Sequence, residues 1–440
     1  MVQKITVGLI GFGTVGTGVV TILKKNASLI RQRVGVPVEL KTIADCDITR
    51  DRGIAVPQSM LTTNTAAVLN DPEIDIVVEL IGGIEPARSF ILQALNNGKH
   101  VVTANKALLC EHGSELFHRA AQSHVDLAFE ASVCGAIPII RALQEGFSAD
   151  RIHSFLGICN GTANYILSRM TEEGAEFDAV LREAQRNGYA EADPSLDIEG
   201  IDTKHKLCIL LSLAFGQRVN PRHIFTEGIS KITPLDIEFA RELGYKIKLL
   251  AMCRSCGAEV DARVHPTLLP EQHLLSQVNG TLNAIFLETE AAGPAMFYGK
   301  GAGMMPTASA VVADIISLSR NIVKGIANRV MVFPNAARAK QTLRIRPFKK
   351  IVSRYYLRFA AVDKPGVLSK ISGILGRNHI SIHSVVQKGR QTRGGAVPIF
   401  MLTHEACEAN LQKALSQLDR LAIVRHKTMV IRIENSLPAV

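Results

Sequence analysis

Ile5-Thr6-Val7-Gly8-Leu9-Ile10-Gly11-Phe12-Gly13-Thr14-Val15-Gly16 is the stretch on which the fold turns. Six residues with an apolar strand pattern run into a GxGxxG turn. A helical pattern follows through Val19, Val20, Ile22, Leu23 and Ile30. A second strand is expected at Val38–Ala44, ending on Asp45. A lone GxGxxG is a weak signal. Between a strand and a helix it predicts dinucleotide binding, because each glycine has a task. Gly11 permits the tight turn, Gly13 lets a pyrophosphate approach the backbone, and Gly16 lets helix and strand pack closely. The helix start at Thr14 and Val15 then offers amide donors and a positive dipole end to the phosphates.

Asp45 is placed to bind the adenosine ribose, which favours NAD. It lies farther along than the usual ~20 residues because the intervening helix is long. Arg50 and Arg52 follow and could instead accept a 2′-phosphate, so NAD and NADP both stay open. Further strands are expected at 76–80 and 100–103, and a later one at 127–131. In an open parallel sheet, ligands lie beyond the carboxyl ends of strands. That places Lys106 near the nicotinamide, and Thr103 and Asn105 of the same segment are candidate cofactor-binding residues. Against this stands an ordinary exposed lysine at a helix start.

The middle of the chain carries the acidic run 188–206, with Glu191, Asp193, Asp197, Glu199 and Asp202. It leads directly into an apolar stretch at 207–213. Asp202 and Lys206 are four apart and share one helix face. Continuing that face gives Ile209, Leu210 and Leu213, so an acid and a lysine open a buried stripe. Such groups have shifted pKa values and cluster at functional sites, although a structural ion pair has the same appearance. Two small-residue turns flank this run, 157–165 and 299–303, the second opening an apolar helix. That glycine-rich turn, with Gly303, is either a plain loop or a second backbone surface against a cofactor. The last block reads strand, helix, two strands, helix, strand, a ferredoxin-like βαββαβ pattern.

At 440 residues the chain is too long for one core, and roughly three domains are expected. The net charge of +10 invites a nucleic-acid reading. Eleven Lys and Arg with no acid fall between 315 and 362, leaving the remainder near −1. A local basic stretch without a binding module argues for pairing with acidic protein surface and against nucleic acid. The chain begins Met-Val-Gln-Lys without a signal-peptide pattern, and no apolar run reaches the ~18–20 residues that span a bilayer. Eight scattered cysteines fit free thiols in a reducing cytoplasm. Cys253-x-x-Cys256 is the one close pair, and without a second pair it does not predict zinc.

Taken together the motifs resemble homoserine dehydrogenase over essentially the whole chain. They are GFGTVG at 11–16, ELIGG at 79–83, TANKALL at 103–109, EASVCGAIPII at 130–140, NGTANYIL at 160–167, GYAEADPSLDIEGIDTKHKL at 188–207 and GKGAGMMPTASAVVADI at 299–315. The last block resembles an ACT domain, with DKPGVL at 363–368 as its turn. With no kinase-like segment, the likeness is to the monofunctional, feedback-regulated members. The implied architecture is α/β: a Rossmann-like domain at 1–133, an α+β catalytic and dimerisation domain at 134–320, a basic linker at 321–349 and a ferredoxin-like ACT domain at 350–435.

The resemblance implies reversible NAD- or NADP-dependent interconversion of L-homoserine and L-aspartate 4-semialdehyde, on the route to threonine, isoleucine and methionine. It makes Lys206 the proton donor and acceptor and gives Asp202 and Lys106 to the reacting end. Glu191 and Asp197 become substrate binders, with Gly161 and Thr162. The cofactor turn becomes Gly11, Phe12, Gly13, Thr14, Val15 and Gly16. A sodium ion is implied at Glu130, Val133, Gly135 and Ile137, mainly through carbonyls. In the last domain, threonine is implied near Gly366, Asn378 and Ile380, in a homodimer or homotetramer. The alternatives are a related oxidoreductase for another amino-acid semialdehyde or 2-oxo acid, and a non-enzymatic NAD(P) or amino-acid sensor. The sensor predicts loss of Lys206, Asp202 or Glu191, and all three are present.

Overall fold

The computed structural model describes residues 2–330, 332, 341–388 and 395–434, which form two compact units. The first comprises 1–153, 202–222 and 282–343, and the second 154–201, 223–281 and 344–440.

In the first unit six parallel strands make one sheet: β1 (Ile5–Ile10), β2 (Val38–Ala44), β3 (Leu61–Thr62), β4 (Ile76–Glu79), β5 (His100–Thr103) and β6 (Leu127–Ala128). Their order is β3-β2-β1-β4-β5-β6, the doubly wound arrangement whose direction reverses beside β1. β1 and β4 are buried along their whole length and mostly apolar, as strands covered on both faces are. The helix Thr14–Lys25 packs against the helix Met304–Val323: a methyl on Gly18 would lie 2.8 Å from the Ala308 side chain. Val19, Val20, Leu23, Val311 and Ile315 join the strands in one core.

The glycines of the first turn divide as their tasks require. Gly11 has φ +100°, and a methyl on Gly16 would lie 2.2 Å from the Gly11 carbonyl oxygen. Gly13 is exposed and a methyl there would meet no protein atom within 4 Å. Protein packing therefore demands glycine at 11 and 16 but not at 13.

In the second unit, the strand Glu259–Pro270 pairs antiparallel with Tyr245–Cys256, and residues 251–254 pair with 154–157. The C-terminal block has strands Val352–Val362, Ile382–Gln387, Ala396–Thr403 and Met429–Ile433, with helices Val367–Arg377 and Glu408–Leu418. The first strand lies between the fourth and the third, and the second is at the edge. This is the ferredoxin-like order expected from the pattern. Both helices cover one face through Ile371, Leu375, Leu411 and Leu418, packed on Tyr355, Leu357 and Phe359.

Two features of this block exceed what periodicity predicted. Its last strand pairs parallel with Glu259–Pro270, through Thr267 with Arg432 and Leu268 with Ile433, so its sheet continues into the middle of the chain. The basic stretch is also tied down. Arg218 N donates to Gln341 O at 3.1 Å in the first unit, and Val260 N donates to Arg344 O at 2.9 Å in the second. Arg358, within the basic stretch, makes a two-point ion pair with Asp236 at 2.6 and 3.0 Å, and that acid is buried instead of lying on a surface. Residues 331 and 333–340 of the basic stretch lie outside the described residues.

Substituting the two glycines separates packing from ligand demands. Gly16→Ala is expected to lose about 1–3 kcal/mol in thermal melting without ligands, because the carbonyl of Gly11 must move. Gly13→Ala is expected to lose less than about 1 kcal/mol. Equal losses would contradict this division.

Candidate active site

The centre of the site is one carboxylate. Helix Ile201–Phe215 follows Gly200, whose φ is +78°, and turns Lys206, Leu207, Leu210 and Leu211 into the interior. Asp202 lies in its first turn, where the positive dipole end favours an acid. Its Oδ2 accepts from Lys206 Nζ at 2.7 Å, and its Oδ1 pairs with Lys106 Nζ at 2.8 Å. Asp202 and Lys206 are buried, while the Lys106 side chain is 42% exposed. Burial drives the Asp202 pKa up, but Lys206 and then Lys106 outweigh it and hold the carboxyl well below the ordinary range. An ionised acid between two ammonium groups can take one of them as a fixed charge and leave the other to donate.

Lys106 stands at the first position of helix Lys106–Gln122, an unfavourable place for a cation. What places it there is a chain of buried hydrogen bonds beyond the strand ends. Glu79 closes β4 and accepts from Thr103 Oγ1 at 2.6 Å. Thr103 Oγ1 accepts from Asn105 N at 3.0 Å, and Asn105 Nδ2 donates to Gly83 O at 2.7 Å. Asn105 Oδ1 caps the helix by accepting from Leu108 N at 3.1 Å. The ELIGG and TANK segments are thus one construction. Sequence reasoning named Thr103 and Asn105; Glu79 was quoted within ELIGG but not singled out, although it is a lone acid at the end of an apolar strand.

At the end of β2, Asp45 Oδ2 accepts from Phe12 N at 2.5 Å. Arg52 pairs with Asp45 Oδ1 at 3.2 Å and lies 4.6 Å above the Phe12 ring. Acid and arginine therefore sit together beside Gly11–Gly13, and the choice between them read from sequence becomes a pair. Gly303, at φ +117°, precedes helix Met304–Val323.

Glu130 begins a tight turn in which Cys134 and Gly135 have φ of +55° and +47°. Its carboxylate accepts from Ile140 N at 2.8 Å and Arg141 N at 3.0 Å, while its own N donates to Asp314 Oδ2 at 2.8 Å. Asp314 also pairs with Arg141 Nη2 at 3.1 Å. Burial pushes Glu130 up; burial and the neighbouring Glu130 push Asp314 up to about 7. Val133 and Ile137 complete the buried turn.

In the second unit, Asn160 precedes helix Gly161–Glu173 and caps it, its Oδ1 accepting from Ala163 N at 2.7 Å. Its Nδ2 donates to Asp197 Oδ1 at 2.7 Å. Thr162 Oγ1 donates to Tyr189 O at 2.6 Å, fastening the start of the acidic run to the same helix. Glu191 is exposed. Asn160 was quoted in a motif but not singled out; its link to Asp197 spans 37 positions and has no local signature.

In the C-terminal block Gly366, at φ +83°, opens helix Val367–Arg377. Asn378 Nδ2 donates to Ile374 O at 2.8 Å and Ile380 is in the core, so neither of these two side chains faces solvent. Cys253 and Cys256 take no part in a metal-like group; among the described residues one such group exists, Cys110, Glu111 and His205. No helix among the described residues is long and apolar enough to cross a membrane.

Three family models match the chain: the homoserine dehydrogenase NAD-binding domain at 11–130, homoserine dehydrogenase at 138–316 and the ACT domain at 355–422. Homoserine dehydrogenase of Neisseria gonorrhoeae is 44% identical over 98% of this chain and 99% of its own length. That of Bacillus subtilis is 38% identical over 99% of both. A crystal structure of the enzyme from Thiobacillus denitrificans superposes with a TM-score of 0.92 at 46% identity, covering 98% of this chain and 99% of that one. An archaeal homoserine dehydrogenase in complex with NADPH gives 0.63 at 25% identity, over 74% and 100%. The paired lysines on one carboxylate, the glycine turn on a doubly wound sheet and these full-length likenesses agree: the chain belongs to the homoserine dehydrogenase family.

Proposed function

We propose that this homoserine dehydrogenase works through the Lys106–Asp202–Lys206 group, the observation that carries the reading being one buried carboxylate bonded to two ammonium groups at 2.7 and 2.8 Å. The reaction is the NAD(P)-dependent interconversion of L-homoserine and L-aspartate 4-semialdehyde. The nicotinamide supplies or accepts the hydride when bound. Reduction of an aldehyde leaves negative charge growing on its oxygen, which needs a fixed cation and a proton. Lys206 supplies that proton and recovers it in the reverse direction. Asp202 fixes its ammonium in direction and charge, and Lys106 holds the reacting end. Glu191 and Asp197 receive the substrate amino group, with Gly161 and Thr162 beside them. An anionic substrate without an amino group would be repelled by these acids, which disfavours a plain 2-oxo acid.

Gly11, Phe12, Gly13, Thr14, Val15 and Gly16, with Thr103, Asn105 and Gly303, are assigned to the dinucleotide. The openness at Gly13 fits a close-approaching phosphate. Asp45 offers an acceptor to ribose hydroxyls and Arg52 a cation beside it, so this pair serves NAD or NADP. The parts of the chain divide as 1–133 for the cofactor, 134–320 for the substrate and self-association, 321–349 as connection and 350–435 for regulation. Threonine at Gly366, Asn378 and Ile380, between paired ACT domains of a homodimer or homotetramer, would lower activity. A difference in affinity between two states is all that this requires. None of the eight cysteines is in a disulfide, in keeping with the cytoplasm.

We also assign a sodium ion to the carbonyls of Glu130, Val133, Gly135 and Ile137. Glu130 and Asp314 are two neighbouring buried acids, yet only Asp314 meets the half-exposed Arg141 guanidinium, while Glu130 is met by the backbone N–H groups of Ile140 and Arg141; a monovalent cation would favour their ionised forms. Melting in sodium chloride should exceed melting in choline chloride at equal ionic strength. Equal values would remove the ion from this account.

Lys206→Ala tests the central assignment. Turnover of aspartate semialdehyde, followed by absorbance with NADH and NADPH, should fall by roughly 10²–10⁴ with the Michaelis constant of the nicotinamide little changed. A loss below tenfold would exclude Lys206 as the proton donor.

A further inference from the structure

Arg432 lies on the last strand and is 3% exposed. Its Nε and Nη2 donate to Glu408 at 3.1 and 2.8 Å, and its Nη1 donates to Glu227 Oε2 at 2.9 Å. The guanidinium stands 5.1 and 4.8 Å from the rings of Phe225 and Phe348, which stack on each other at 3.4 Å. One arginine of the C-terminal block thus grips a residue more than 200 positions earlier in the chain. Glu227 is fixed on its other side by its amide, which donates to Val264 O at 2.8 Å.

The segment after Glu227 has no room to move. A methyl on Gly228 would lie 2.2 Å from the Ile198 carbonyl oxygen and 2.4 Å from Glu199 Cα. Ile229 N donates to that same carbonyl at 2.8 Å. Ile198 follows Asp197 directly, and the Asp197 carboxylate is met by Asn160 at 2.7 Å. From the C-terminal strand to Asp197 there is an unbroken run of ion pair, backbone contact and hydrogen bond.

We propose that Glu227 is a positioning residue that, held by Arg432, seats the 195–200 turn so that Asp197 presents its carboxylate to the substrate amino group. This rests on the reading of Asp197 as a substrate-binding acid. The C-terminal block therefore reaches substrate affinity through its own closing strand, and a shift of that strand changes the aim of Asp197. Contiguity alone does not establish coupling, so the test measures coupling itself.

Glu227→Gln keeps the size and one acceptor, and Glu408 still neutralises Arg432, which favours retention of the fold. In the assay of homoserine oxidation it should raise KM for homoserine roughly three- to tenfold, with kcat within about twofold and KM for the nicotinamide unchanged. Glu227→Asp, one methylene shorter with its charge kept, should give a smaller rise and serves if the glutamine variant does not fold. Asp197→Asn should raise KM by itself, and adding Glu227→Gln to it should change KM little, because the two act through one group. A fall in melting temperature without a KM change in the Glu227 variants, or additive effects in the double variant, overturns the proposal. No effect of Asp197→Asn instead refutes the assignment of Asp197 and with it this inference.

Discussion

One buried carboxylate held between two ammonium groups is the constraint on which the rest of the site depends. Asp202 is nearly inaccessible, and a carboxylate there without partners would be neutral. Lys206 comes from the same helix one turn on, and Lys106 from the first position of another, where the dipole opposes it. Removing one partner of such a group typically costs about 3–5 kcal/mol, because a charge is then buried without compensation. The Glu79–Thr103–Asn105 bonds hold the Lys106 helix start against that opposition. A local conflict with propensity is what functional positions look like in otherwise consistent sequences.

The second constraint is sheet continuity. The C-terminal block has its own two-helix face and its own core, as an independent module would. Its last strand nevertheless completes the parallel pairing with Glu259–Pro270, and ion pairs and a tyrosine hydrogen bond from two of its strands fasten the block there. Arg358 and Tyr356 meet Asp236, whose own helix is closed by a capping box with Thr233. Arg432 meets Glu227. Asp236 and Arg432 are buried, so these contacts are shielded from salt. A ligand that altered this block would work against a rigid attachment, which is what transmission of a small displacement requires.

Local patterns carried much of this into the sequence. The β1–turn–helix unit was legible because glycine spacing, strand period and helix period changed at the same three positions. The Asp202–Lys206 pair was legible because i to i+4 spacing on an apolar helix needs no tertiary knowledge. The ferredoxin-like order followed from period changes alone. What escaped were long-range partnerships of ordinary residues. Glu79 with Thr103, Asn160 with Asp197 and Arg432 with Glu227 join positions 24, 37 and 205 apart, and nothing in the sequence around one residue names its partner. The pairing of the last strand with the middle of the chain was hidden for the same reason.

The most direct test follows the Asp202 carboxyl itself by carbon NMR while pH is lowered on the folded protein. With its pKa held below the unfolded value, its stabilising contribution is present above the ordinary carboxylate range near 3.9 and is lost as pH falls through the folded value. The account predicts an ionised chemical shift that persists below pH 4, down to acid unfolding. Titration at or above pH 4 would mean that the two lysines do not hold the charge, and the proposed proton donor would lose its anchor.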